Sequence, residues 1–327
     1  MTNSSSERPN EFELIAKLFA PLSAQAPGAY GLTDDAAALR VPDGEELVLT
    51  ADLLSAAVHF RPEDDARVIA KKALRTNLSD LAAKGAKPVG YMLSLALPHD
   101  WTIPWIEAFA AGLREDQDAF SIALFGGDTT ATTGPLTVAI TAFGTVPHGM
   151  MIRRNGAKPG DLVFVSGTLG DAGAGLAALS GKLPSASASD REALIGRYLL
   201  PQPRVSLGQA LHGKATAALD VSDGLLADLG HIAQTSHVRI SISADRIPLS
   251  DAARNAGVGV TDAVTSGDDY EIAFTAHASR AADILRCAAD SHCRVTEIGR
   301  VGAGSGVALL DSTGGEIPVS RRGYRHF

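Results

Sequence analysis

Six aspartates stand in short polar turns beside apolar runs: Asp34 and Asp35 in GLTDDAAAL, Asp52 after LVLTA, Asp128 after ALFGG, and Asp220 and Asp223 in ALDVSDG. A seventh, Asp80 in NLSDLAAK, borders the apolar stripe of a helix, and TSGDDYE adds Asp268 and Asp269. Aspartate is a short, stiff carboxylate, the donor suited to a magnesium cluster shared with phosphate oxygens. Any one of these acids can also be an ordinary turn aspartate, capping a helix or closing an Asx turn. Their repeated placement at the ends of strand-like runs favours ligand chemistry, because loops converge around ligands there in sheet-plus-helix folds. Asp80 has its own alternative, an i, i+4 pair with Lys84.

Phosphate binding would have to use something other than a P-loop. The nearest string, GLAALSGKL, has the wrong spacing and no hydroxyl after its lysine. GDAGAGLAA imitates a dinucleotide fingerprint through Gly173, Gly175 and Ala178, but its only acid at the required distance is Asp190 in a polar loop, so it reads as helix packing. Arg153 and Arg154 precede NGAKPGD and could clamp a phosphate, or form a surface pair. His59 in AAVHF could equally be a core histidine.

The elements that must position these groups follow from periodicity. NEFELIAKLF is a short helix with Asn10 as N-cap and Glu13 completing a capping box. An apolar segment spans 36–41 and begins a buried strand, and LVLTADLL is a strand with Asp52 at its end. Residues 63–84 form a helix with Ala70, Ala73, Leu74, Asn77, Leu78 and Leu81 on its buried face. Strand, helix, strand and strand follow through GPLTVAITAFGTV. A Gly-, Pro- and Arg-rich stretch at 147–161 marks the boundary between domains 1–148 and 149–327. The second half alternates strands and helices again and closes on a strand pair up to GYRHF.

Composition narrows the functions available. The chain has 327 residues, enough for two domains, with 45% hydrophobic and 20% charged residues. Its net charge of −8 provides no basic stripe, which excludes a nucleic-acid partner. Cys287 and Cys293 make neither a disulfide framework nor a zinc ribbon. MTNSSSERPN has no apolar leader core and no run approaches a membrane span, so a cytoplasmic enzyme with no membrane partner is expected.

Taken in order, EFELIAKLF, DDAA, LTADLLSAAVHF, NLSDLAAKGAKP, LFGGDTT, RRNGAKPGD, LDVSDGLLADLGHI, SGDDYEIAF and GYRHF resemble the thiamine-monophosphate kinase family, nearly end to end. The resemblance implies a PurM-like α/β (α+β) fold in two domains. The N-terminal ATP- and metal-binding domain would dimerise through its sheet, making a homodimer, and the C-terminal domain would be α/β. It implies ATP- and Mg²⁺-dependent phosphorylation of thiamine monophosphate to thiamine diphosphate, the last step of that cofactor's synthesis, with several Mg²⁺ ions. By resemblance, Asp35, Thr50, Asp52, Asp80, Asp128, Asp220 and Asp223 are metal positions. Gly127, Asp128, Arg154 and Ser222 are ATP contacts, and His59, Asp268, Arg321 and Tyr324 meet thiamine monophosphate. No residue is a general base, since the acceptor phosphate is already ionised near neutrality.

Departures from the family pattern fall at Thr33, Ala51, Asp268 and Arg321, of which Asp268 and Arg321 bear on the thiamine pocket. Other readings are an aminoimidazole ribonucleotide synthetase-like enzyme of the same fold, a divalent-metal phosphohydrolase, and a non-catalytic metal- or nucleotide-binding module.

Overall fold

The computed structural model describes residues 9–183 and 185–324; most of the polar start and the last residues of GYRHF lie outside them. The chain divides into two units, residues 1–77 with 88–145 and residues 78–87 with 146–327.

The first unit begins with α1 (Glu11–Leu14), whose capping box is formed as expected: Asn10 accepts from the Glu13 amide and Glu13 from the Asn10 amide. Beyond three short helical turns to Leu32, residues 36–41 lie in no strand, and Ala36, Ala37 and Ala38 are exposed. The buried strand expected there is absent because the segment is held by one ladder-like bond, Ala38 N–H to Gly28 O, and a Cβ at Gly28 would collide with that approach.

β1 (Glu45–Ser55) leads to α2 (Ala66–Ala83), which continues from Leu78 into the second unit. β2 (Lys87–Pro98), α3 (Ile103–Phe120), β3 (Ala123–Thr132) and β4 (Thr137–Pro147) complete the first unit. The sheet order is β1-β4-β2-β3, with β2 and β3 parallel and α3 as their crossover. Thr102 caps α3 through the Trp105 amide, with Pro104 in the first turn. Arg75 on α2 forks onto Asp116 on α3 at 2.6 and 2.8 Å, a bidentate pair that fixes the register of the two helices.

In the second unit the last turns of α2 end on Gly85, at φ +74°, where Ala86 N–H returns to Leu81 O at 2.8 Å. The unit then runs β5 (Leu162–Ser166), α4 (Asp171–Leu179), α5 (Ala188–Leu199), α6 (Val205–Ala210), β6 (Ala215–Asp220), α7 (Leu225–Ser236) and β7 (Arg239–Ser243). It closes with α8 (Asp251–Asn255), α9 (Val260–Thr265), β8 (Ile272–Ala276), α10 (Ala281–Asp290), β9 (Val295–Gly302) and β10 (Gly306–Leu310).

The six-stranded sheet has the order β10-β7-β9-β5-β8-β6, so the last two strands are not each other's partners; both pair with β7. The central β5 is buried throughout and antiparallel to both neighbours. That geometry rules out the parallel βαβ unit of a dinucleotide fold at GDAGAGLAA. Gly175 packs against the backbone of Leu194 on α5, as helix packing requires, whereas Gly173 faces Ser266. Asp190 lies in the first turn of α5, not in a loop.

Candidate functional site

The acids fall into two groups, one in each unit. In the first unit Asp34 Oδ1 accepts the Asp35 amide at 2.8 Å, which commits Asp34 to the turn and leaves Asp35 in an exposed bend. Asp52 and Asp128 lie within β1 and β3, not at their ends. Strand alternation puts Thr50 and Asp52 on the face of β1 that buries Val48 and Leu54, while Leu49, Ala51 and Leu53 take the opposite, exposed face. Gly127 must be glycine, because a Cβ there would run into the Leu93 backbone across the β2–β3 pair; Asp128 follows it opposite Ser94. His59 is half-buried, and its Nδ1 accepts the Ser55 amide at 3.1 Å. The sheet order separates Asp52 from Asp128 by two strands. At about 4.8 Å per strand their backbones stand roughly 14 Å apart, too far to share one ion.

In the second unit the groups converge. Asp220 ends β6, is buried, and accepts Ser79 Oγ–H at 2.8 Å. Burial first, and the carboxylate of Asp80 second, push its carboxyl well above the usual range. Beyond β6 the pairing with the 268–271 segment continues: Val221 N–H donates to Glu271 O, Tyr270 N–H to Val221 O and Asp268 N–H to Ser222 O, each at 2.8 Å. Ser222 and Asp268 are thereby direct neighbours. Asp268 and Tyr270 adopt left-handed φ of 69° and 50°, conformations that side chains resist and that surrounding structure must enforce. The buried Asp269 between them supplies that restraint by accepting the Gly170 and Ala172 amides at 2.8 and 3.3 Å.

Arg154 is exposed on a segment pinned by its carbonyl, which accepts the hydroxyls of Thr235 and Ser236, both at 3.1 Å. Its field reaches Lys84, whose pKa is lowered to about 8, by burial first and by Arg154 second. Lys84 Nζ donates to Ala218 O at 2.8 Å, while Asp80 acts on it only as a lesser, opposing charge. Tyr324 N–H donates to Asp223 O at 2.9 Å, and the Arg321 guanidinium stands 5.9 Å from the centre of the Tyr324 ring. Both line a cleft of about 410 Å³ with Gly170, Gly173, Val258 and Ser266, so the small residues of GDAGAGLAA open this cleft as well as pack helices.

Sequence reasoning missed Ser79 and Asp228, and named Asp269 only as one of a pair of turn acids, not as a buried support. Asp228 is buried on the first turn of α7, where its Oδ2 accepts the Asp223 and Gly224 amides, both at 3.1 Å, and so holds the acidic turn. An acid in the first helical turn after a glycine was the available signal. Burial, then Asp223, raises its pKa to about 7. Because the folded value lies above the unfolded one near 4, this group's contribution to stability is lost as pH rises from about 4 through about 7. Denaturant titrations in EDTA are expected to show that decline in the wild type and a shallower one in Asp228→Asn; identical slopes would count against a charge penalty at this residue.

Among the described residues no three His, Cys, Asp or Glu side chains are arranged to hold a metal by themselves. The arrangement still fits Mg²⁺, which takes one or two carboxylates and completes its shell with water and substrate phosphates. The carboxyl of Asp220, raised first by burial and then by its neighbour Asp80 and only weakly opposed by Lys84, has room for more positive charge, and the donors at hand are hard oxygens.

Two family models match the chain: AIR synthase related protein, N-terminal domain, over residues 33–146, and AIR synthase related protein, C-terminal domain, over residues 158–312. The thiamine-monophosphate kinase of Caulobacter vibrioides is 43% identical over 97% of this chain and 91% of its own length. The crystal structure of thiamine-monophosphate kinase from Stenotrophomonas maltophilia K279a superposes with a TM-score of 0.82 at 44% identity, covering 92% of this chain and 96% of that one. AaThiL complexed with AMPPCP and TMP matches with a TM-score of 0.78 at 31% identity, covering 97% of each chain.

Proposed function

The chain belongs to the thiamine-monophosphate kinase family, and on that premise we propose how its residues divide the work of phosphoryl transfer. The enzyme phosphorylates thiamine monophosphate with ATP, giving thiamine diphosphate in the last step of that cofactor's synthesis. The observation that carries the assignment of roles is the contiguity of Asp80, Asp220, Ser222, Asp223, Asp268 and Tyr324 around the end of β6.

In this reading Asp80, Asp220 and Asp223 in the second unit, and Asp35, Thr50, Asp52 and Asp128 in the first, would hold Mg²⁺. Bound there, Mg²⁺ would neutralise phosphate oxygens and offset the repulsion between two polyanions. Gly127, Asp128, Arg154 and Ser222 meet ATP, and Arg154 draws charge from the transferring group. Its pinned carbonyl aims the side chain, and Lys84 adds positive charge near the same place. His59 and Asp268 contact the substrate phosphate, and the cleft beside Arg321 and Tyr324 takes the thiamine end. Transfer is in line and direct, because a phosphate monoester with a second pKa near 6 is already a nucleophile at neutral pH and needs no general base.

Two features support a homodimer, which we place in the cytoplasm. Leu49 and Leu53, 62% and 59% exposed, form with Ala51 an apolar face on the edge strand β1. The separation of Asp52 from Asp128 in one sheet would be overcome if a second copy brought its own edge strand alongside. The functional domains are 1–148 and 149–327, with residues 78–87 of α2 and the loop after it packed as part of the second unit.

Coupled ADP release tests the function. Turnover is expected with ATP, Mg²⁺ and thiamine monophosphate, and at least about a hundredfold less with thiamine, which lacks the ionised acceptor. Equal rates with thiamine would refute the reading, and ADP release that needs no acceptor would favour the phosphohydrolase.

A further inference from the structure

A second cleft lies wholly in the first unit, with a volume of about 420 Å³, inside the usual range for small-molecule sites. Its walls come from the turn after β1 (Ala56, Ala57, Phe60, Pro62), the segment between β2 and α3, and Leu136 before β4. The chain has only two tryptophans, Trp101 and Trp105, and both line this cleft. None of Asp35, Asp52 and Asp128 does.

Three observations fix the chemistry of an occupant. The walls are aromatic and apolar, which suits a flat ring. Trp105 stacks on the buried Phe109, with centroids 5.4 Å apart and planes 20° from parallel, so its ring is held in place before any ligand arrives. The one ionised lining side chain is Asp100, exposed and adjacent to Trp101, and no Lys or Arg lines the cleft. Arg61, between Phe60 and Pro62 in sequence, is committed to Asp64 at 2.9 and 2.7 Å and to Glu63 at 3.2 Å. Aromatic faces and a carboxylate together attract a cation, and tryptophan does so most strongly among side chains.

We propose that this cleft binds a flat heteroaromatic cation of the thiazolium type, at a site separate from the carboxylates that hold Mg²⁺. It rests on the kinase reading only for the identity of that cation, the ring that the enzyme's substrate and product share. A neutral planar ring would gain the stacking but lose both the cation–π attraction and the Asp100 counter-charge.

The test reads tryptophan emission, which in this protein reports only on this cleft, without ATP and therefore without turnover. The full-length enzyme is titrated with the thiazole half of thiamine in two forms, N-methylated and neutral, which differ by a methyl group and a charge. A saturable change with the cation is expected, with about tenfold weaker binding of the neutral ring, equivalent to 1.4 kcal/mol. Asp100→Asn, at an exposed position where folding is not at stake, is expected to weaken the cation several-fold and leave the neutral ring unaffected. Tyr324→Ala and Asp220→Asn are expected to retain the full response. No saturable change, equal binding of the two rings, or loss of the response in Tyr324→Ala would each overturn the proposal. The first and second of these outcomes would leave the kinase reading intact, since the ADP assay measures that separately.

Discussion

Asp220→Asn is expected to cut turnover on the order of a thousandfold while leaving the fold as stable as before or more so. The rate follows from the proposed metal role of Asp220, where Mg²⁺ would supply several kcal/mol of charge stabilisation. The stability follows from the opposite property of the same group. Asp220 is buried beside Asp80, and its carboxyl is held well above the ordinary range. A folded value above the unfolded one means that the stabilising contribution is present at low pH and is lost as pH rises beyond the usual carboxylate range. Asparagine has nearly the same shape, keeps an oxygen for Ser79 Oγ–H, and carries no charge to penalise. In EDTA the variant should match the wild type near pH 4 and exceed it at pH 8. Initial rates and urea midpoints check the two halves; an undiminished rate would remove Asp220 from the metal positions, and a lower midpoint at pH 8 would remove the strain.

A mixed dimer of Asp52→Asn and Asp128→Asn protomers is expected to recover activity that neither variant has alone. The basis is the sheet order, which puts the two aspartates on opposite edges of one protomer with β4 and β2 between them. If a site draws Asp52 from one copy and Asp128 from the other, a mixed dimer contains one site with both changes and one with neither. Co-expression with two affinity tags isolates that dimer, and about half of the wild-type turnover is expected from it. If both residues serve the same protomer's site, the mixed dimer is as inactive as its parents.

Much of the scaffold was legible because local chemistry decided it. The capping box at Asn10 and Glu13, and the buried face of α2 from Ala70 to Leu81, depend on spacing alone, and both formed as read. Strand ends were not legible, since they depend on a partner's register: Asp52 and Asp128 looked terminal but lie within β1 and β3, and β2 stays paired with β3 past Asp128 as far as Thr132. Ala36–Val41 read as a buried strand from composition, yet no neighbouring strand takes it up. α5 was hidden by the Ser-rich SASASD, which resembles a loop until Ser187 is seen accepting the Asp190 amide as an N-cap. Asp220, Asp223 and Asp268, which the structure brings together beyond β6, could be picked out by type and placement, whereas the separation of Asp52 from Asp128 could not be foreseen without the strand order. The supporting contacts could not be foreseen either, because Ser79 meets Asp220 and Asp269 meets Gly170 only through contacts distant in sequence.

The interleaving of the two units has a consequence for synthesis on the ribosome. Residues 78–87 belong to the second unit but are made before residues 88–145 of the first. The wholly buried LVFVS of β5, apolar except for Ser166 and in the middle of the larger sheet, pairs with β8 and β9, which are translated on the order of a hundred residues later. At roughly 5–20 residues per second, β5 therefore spends on the order of ten seconds outside the ribosome with neither edge covered. The nascent chain is most vulnerable to aggregation in that interval, and a transcript cut short before β9 leaves β5 without one of its two partners.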